Sequence, residues 1–270
     1  MAIEIVRTLR ERGHQAYFAG GCVRDLILGR EPADYDVATD ATPQQVLRIF
    51  PQTFAVGAQF GVVLVPFKTT TTEDTEEHVP IPSAFDSLHS AAGHRKAVEV
   101  ATFRSDIGYS DGRHPDEVRF TKNPREDVER RDFTINGMLL DPLANDGAGE
   151  ILDFVGGRED LKAGIVRAIG DPSRRFGEDK LRMLRAVRFA ARFEYKIEAA
   201  TFSAMQKLAP QIHQVSQERV REELTKMLTE GRARLAFLLL DESGLLREVL
   251  PEISAMNGVE QPPQFHPEGD

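Results

Sequence analysis

The sequence predicts an α+β domain followed by a helical one. Three observations carry this. The chain has 270 residues, enough for two domains of ordinary size. Short β-rich runs alternate with short helix patterns as far as Pro142. Beyond about residue 145 the β signal fades and apolar residues recur at helical spacing. The expected division is a domain over 1–145, with an insertion at 68–96, and a helical region over 146–270 that ends in EQPPQFHPEGD without a closing element, as the front part of a longer protein would.

Element by element, Ile3 to Arg12 reads as a helix ended by Gly13, and Ala16 to Ala19 as a strand entering Gly20-Gly21. Val23 to Leu28 is a helix stopped by Gly29, and Tyr35 to Ala38 a strand. Thr42-Pro43 supplies an N-cap and a first-turn proline for a helix over Thr42 to Phe50. GVVLVPF (Gly61 to Phe67) and VEVATF (Val98 to Phe103) are strands. The segment Lys68 to Lys96 is rich in threonine, serine, proline and acid, with too little apolar surface for a core, and reads as an inserted loop. Helices are expected over Glu178 to Phe193, Ala199 to Leu208, Ser216 to Thr229 and Arg232 to Asp241. In the third of these, Val220, Leu224, Met227 and Leu228 form an apolar stripe expected to pack into the core, while Arg219 and Glu222 are candidates to touch the helix over Glu178 to Phe193.

Composition narrows the function. No apolar run approaches the ~18 residues of a membrane span, and the N-terminus carries no export pattern, so a cytoplasmic protein is expected. The single cysteine, Cys22, excludes an internal disulfide and a cysteine-built zinc site. The net charge of −9 argues against a nucleic-acid partner, but its distribution does not. Between Arg158 and Lys196 eleven basic residues face six acidic ones, a local +5 that leaves the rest of the chain at −14. Such a run is either a solvated helical surface or a phosphate-binding one.

The chemistry concentrates in AGGCVRDLILGREPADYDVATD, Ala19 to Asp40. If a strand begins at Tyr35, Asp34 and Asp36 share a face and their carboxylates converge. Hard oxygen ligands of this kind suit Mg²⁺, which takes one or two carboxylates plus substrate phosphates. Upstream, Gly20-Gly21 can bring backbone N–H groups close to an anion, with Arg24 one turn into the following helix. A phosphate cradle followed by metal carboxylates suits nucleotidyl transfer. Glu99, in VEVATFR, is the expected third carboxylate from a neighbouring strand, with a buried structural glutamate as the other reading.

GGCVRDLILGREPADYDVAT resembles the signature of the class II tRNA nucleotidyltransferase and bacterial poly(A) polymerase family, within the DNA polymerase beta superfamily. RRDFTINGM (Arg130 to Met138) and EDKLRMLRAVRFAARF (Glu178 to Phe193) resemble its next two signatures, in the family's order. The resemblance implies a polymerase-beta-like head followed by an all-helical neck and body. It implies two Mg²⁺ ions on Asp34 and Asp36, contacts from Gly21 and Arg24 to the triphosphate, and ATP and CTP as substrates. The implied partner is the 3′ end of tRNA.

Asp179 and Arg182, three apart on an expected helix, set an acceptor beside a donor. Cytosine and adenine both present an amine beside a ring acceptor, whereas guanine and uracil present a carbonyl beside an N–H, so this pair would accept C and A and refuse G and U. Reading the base is also the role the resemblance implies for them, and Arg185, Arg188 and Arg131 carry over as further nucleotide or phosphate contacts. Asp132 and Asn136, four apart, bring a carboxylate to an amide, suited to a ribose hydroxyl; capping a helix is the plainer role for Asp132. Where family members often have alanine, this chain has Gly137, read as a neutral replacement. VGAQFGVVLV (Val56 to Val65) is closer to the tRNA-specific pattern than to the poly(A) polymerases, and RSDIGYSDGRHPDEVRF (Arg104 to Phe120) resembles the loop linked with adenosine addition. CCA addition, A-only addition and poly(A) synthesis all remain, as does a non-catalytic RNA-binding relative.

Overall fold

The computed structural model describes residues 2–51, 53, 61–66, 97–109, 116–230, 232–256 and 258–259. The expected insertion at 68–96, the start of the Val56 to Val65 pattern and the last eleven residues lie outside the described residues.

The chain forms two compact units that interleave along the sequence. The first comprises Met1–Arg104, Phe120–Pro124 and Leu139–Leu152. The second comprises Ser105–Arg119, Arg125–Met138 and Asp153–Asp270.

The first unit is built on a six-stranded sheet of β1 (Ala16–Ala19), β2 (Asp36–Thr39), β3 (Val62–Pro66), β4 (Ala97–Thr102), β7 (Met138–Asp141) and β8 (Glu150–Asp153), ordered β3-β4-β2-β1-β7-β8. β2 and β4 run parallel, while β1–β2, β3–β4 and β1–β7 are antiparallel. The helix α1 (Ala2–Glu11) buries Ala2, Ile5, Val6 and Leu9, an apolar stripe at helical spacing, and packs against β1. Gly13, at φ +82°, reverses the chain where a side chain would be strained. The helix α2 (Gly21–Ile27) leads out of β1, and α3 (Pro43–Ile49) opens with a capping box: Gln45 N donates to Thr42 Oγ1 at 3.4 Å and Thr42 N to Gln45 Oε1 at 2.8 Å.

In the second unit, α4 (Pro124–Glu129), α5 (Gly157–Ala163), α6 (Pro172–Glu178), α7 (Leu181–Phe193), α8 (Ala199–Leu208), α9 (Gln217–Thr229) and α10 (Ala233–Glu242) supply the bulk, with two one-turn helices after them. The core lies along α7, whose Met183, Leu184, Ala186, Val187 and Ala190 are fully buried and which packs against α9 and α10.

Four expectations are corrected. β8 and the short parallel pair β9 (Ile165–Val166) and β10 (Lys196–Ile197) follow residue 145, where only helices were expected. Arg104 to Phe120 holds two paired strands, β5 (Arg104–Ile107) and β6 (Glu117–Phe120). The expected helix over Glu178 to Phe193 is broken: Asp179 is extended, at φ −149° and ψ 109°, and its Oδ1 accepts Leu181 N at 3.0 Å. An aspartate able to bond the backbone ahead of it favours a helix start over a helix interior. On α9 only Met227 of the apolar stripe is buried, Leu228 is 57% exposed, and the other buried residue is Glu223. That helix packs through a charged seam.

Candidate functional site

In the first unit the turn from β1 into α2 is made by Gly20, at φ 75° and ψ −132°, a conformation glycine tolerates and other residues do not. Gly21, the expected phosphate contact, follows as the first residue of α2. Arg24 folds back over this turn: its Nη2 lies 3.5 Å from where a Cβ on Gly21 would stand, and its guanidinium bonds Asp25 at 2.8–2.9 Å. Cys22 is buried, with its thiol directed to the Ala19 carbonyl at 3.2 Å, and burial pushes its pKa up.

Asp36 opens β2 and is half-buried, whereas Asp34 lies in the exposed bend before it. The two therefore do not share a strand face by alternation, as the sequence suggested. The structure instead aligns Asp36 with Glu99: in the parallel β2–β4 ladder they are register partners, so both side chains leave the same face. Asp34, Asp36 and Glu99 are an all-oxygen, all-carboxylate set, chemically suited to Mg²⁺. Among the described residues no group of three or more His, Cys, Asp or Glu is placed to hold a metal ion, so the three carboxylates are not gathered into one ligand set. A Mg²⁺ site completed by substrate phosphates needs no such group.

The second unit holds the remaining expected site residues, and each charged one among them is tied to a partner of opposite charge. Asp132 and Asn136 do meet, Asn136 Nδ2 donating to Asp132 Oδ1 at 3.3 Å, but across a 3₁₀ turn, Thr134–Asn136, and not along an α-helix. The other oxygen of Asp132 accepts Arg185 Nε and Nη2 at 2.9 and 2.7 Å. Burial alone would raise the Asp132 pKa; the Arg185 charge and hydrogen bonds outweigh it and hold the carboxyl down to about 2. Arg131 bonds Asp127 at 2.9 Å, and Arg130 reaches the same buried carboxylate at 2.6 Å. Arg182 is held by Glu178 at 2.7 Å and by the Arg175 carbonyl at 3.0 Å. Asp179 is bonded by Arg219 Nη2 at 2.8 Å. Arg188 is buried against Glu223 at 2.6 Å and lies over the Phe189 ring at 4.3 Å. Arg188 is thus part of a buried ion pair.

Sequence reasoning passed over Glu223, Asp127 and Glu178, and named Arg219 only as a candidate contact to the nucleotide-reading helix. Two of these were locally legible, because Asp127 stands three and four residues from Arg130 and Arg131, and Glu178 four from Arg182. Glu223 and Arg219 pair across 35 and 40 residues, with no local signal. Gly137 is also less neutral than expected, since an alanine Cβ there would stand 2.8 Å from Val155 Cγ2 and 2.9 Å from Ile169 Cδ1.

A mixed sheet with a glycine turn and carboxylates at adjoining strand positions, joined to a helical region, is the architecture of a nucleotidyltransferase head and neck. The chain belongs to the family described as the poly A polymerase head domain, whose model matches residues 16–81 and 72–167. A second model, described as a probable RNA and SrmB-binding site of polymerase A, matches residues 194–256. The chain is 38% identical over 244 residues to a CCA-adding enzyme of Geobacillus stearothermophilus, covering 90% of this chain and 53% of that protein. It is 39% identical over 248 residues to one of Bacillus pumilus, covering 92% and 54%. The crystal structure of Bacillus stearothermophilus CCA-adding enzyme in complex with CTP superposes with a TM-score of 0.73 at 37% identity, over 90% of this chain and 52% of that one. The chain thus spans about half the length of the curated relatives it matches. No helix among the described residues is long and apolar enough to cross a membrane.

Proposed function

We propose that this chain transfers nucleotides from CTP and ATP to the 3′ end of tRNA without a nucleic-acid template, releasing pyrophosphate. The observation that carries the reading is the Asp36–Glu99 register beside the Gly20-Gly21 turn, in a chain 38–39% identical to CCA-adding enzymes.

The head, 1–145, performs the transfer. Gly21 and Arg24 bind the triphosphate through backbone N–H groups and a guanidinium already turned toward the glycines. Asp34 and Asp36 hold Mg²⁺, with Glu99 beside Asp36. Bound there, Mg²⁺ would favour ionisation of the attacking 3′-hydroxyl and neutralise charge on the departing pyrophosphate.

The helical region, 146–270, with the RRDFTINGM segment, reads the nucleotide. Asp179 accepts the exocyclic amine of C or A through the Oδ2 lone pair that Arg219 leaves open, and Arg182 donates to the ring nitrogen through N–H groups not taken by Glu178 and the Arg175 and Arg130 carbonyls. Asp132 and Asn136 contact the ribose, Arg131 and Arg185 the phosphates or sugar. Holding these arginines and acids in place before the nucleotide arrives lowers the ordering cost of binding. The single cysteine and the substrates point to the cytoplasm.

The test offers labelled CTP or ATP, separately and together, with Mg²⁺, to tRNA transcripts ending before CCA, after C and after CC. Completion of all three is expected. Incorporation of A only on the CC-ended RNA would assign A-only addition, and long A tails would assign poly(A) synthesis, the reading favoured by the poly A polymerase description of the family. No incorporation would favour a non-catalytic RNA-binding role.

A further inference from the structure

The Asp132–Asn136 contact is long, at 3.3 Å, and rests on a single 3₁₀ turn. A turn of three residues has little stability of its own. The surrounding unit fixes it. Thr134 N donates to the Arg167 carbonyl at 3.0 Å, and Ile169 N to the Asp132 carbonyl at 3.0 Å. Gly157 lies so close beneath that a Cβ there would collide with the Thr134 carbonyl. One anchor is a side chain: Thr134 Oγ1 donates to Asp160 Oδ2 at 2.7 Å. Thr134 is 2% exposed and Asp160 7%, so neither bond has water as a substitute. Asp160 is paired with Arg167, whose Nε lies 2.9 Å from Oδ2 and whose Nη1 reaches Glu198 at 3.4 Å. A line of four groups, Glu198, Arg167, Asp160 and Thr134, therefore runs into the base of the turn that carries Asn136.

We propose that Thr134, anchored by Asp160, is a positioning residue that sets the preference for ribonucleotides over deoxyribonucleotides. The inference rests on the reading of Asp132 and Asn136 as ribose contacts. Discrimination by one hydroxyl depends on a donor and acceptor held to a fraction of an ångström, and the Thr134 hydroxyl ties to Asp160 the same 3₁₀ turn that carries Asn136. Neither Thr134 nor Asp160 touches the nucleotide in this scheme.

Equilibrium dissociation constants for ATP and dATP, measured with Mg²⁺ on the full chain, test it. Thr134→Val removes the donor at nearly constant shape and leaves Asp160 paired with Arg167. The preference for ATP is expected to fall about fivefold, through weaker ATP binding with dATP unchanged. Thr134→Ser should restore it, and Asp160→Asn should shift it the same way by less. Should Thr134→Val fail to fold, Asp160→Asn carries the test. An unchanged ratio in the folded variants would overturn the proposal, as would equal weakening of both nucleotides, which marks general loosening. Asn136→Ala separates the two levels: if the unaltered chain does not prefer ATP, or Asn136→Ala leaves the preference intact, the ribose reading itself falls.

Discussion

The candidate metal carboxylates of the first unit and the arginine-bound ones of the second differ in burial. In the first, Asp34 is exposed and Asp36 half-buried at the mouth of a strand, with Glu99 its register partner on the next strand. In the second, Asp127, Asp132 and Glu223 are buried, each bonded to an arginine of the same unit at 2.6–2.9 Å. Carboxylates near water ionise at little cost and can meet a cation that arrives with substrate. Buried ones must carry their own cation, because an unpaired charge in the interior costs several kcal/mol. One set is suited to chemistry that changes charge, the other to a fixed pattern of donors and acceptors.

Removing one acid from each set gives the sharpest contrast. Asp36→Ala should lower nucleotide incorporation by about 1,000-fold or more, as expected for the loss of several kcal/mol of charge stabilisation, while leaving the melting temperature nearly unchanged. Measurable turnover near the unaltered rate would sink the metal assignment. Glu223→Ala should do the reverse, costing about 3 kcal/mol of stability by leaving Arg188 buried without its main partner. Urea unfolding measures this, and a loss under ~1 kcal/mol would break the comparison.

Acid titration sharpens it further. Because the Asp132 carboxyl is held from 3.8 down to about 2 in the folded chain, its contribution of ~2 kcal/mol is fully present above about pH 4 and is lost as the pH falls through about 2. The stability difference between the unaltered chain and Asp132→Asn should shrink over that window, whereas parallel curves would show that Arg185 does not stabilise the ionised form. The smallest effect is expected at Asp179, where replacement by alanine should relax the rejection of GTP and UTP by about tenfold, roughly one hydrogen bond. Unchanged base choice in incorporation assays would remove Asp179 from the reading of the base.

What was legible depended on the range of the interaction. The first helix, the Thr42 cap and the Gly13 and Gly29 stops were readable because each involves residues within one or two turns. The strands β5 to β10 were not, since two to four residues carry little periodicity and their pairing partners lie elsewhere in the chain. The break at Asp179 was hidden because no glycine or proline falls between Glu178 and Phe193 to mark it.

The site divides along the same line. Sequence alone determined the residue types and their local spacing: a glycine pair, two aspartates one residue apart, an Asp132–Asn136 pair and an arginine-rich helix, since these chemistries need neighbours close in the chain. The sequence named Glu99 as a carboxylate from a neighbouring strand, but only the tertiary structure set it in register with Asp36, brought Arg219 to Asp179 and buried Arg188 against Glu223. Those partners are 35 to 63 residues apart. Contacts at that range are chosen by how strands pair and helices pack, where burial forces each charge to find its counterpart, and no local pattern records the choice.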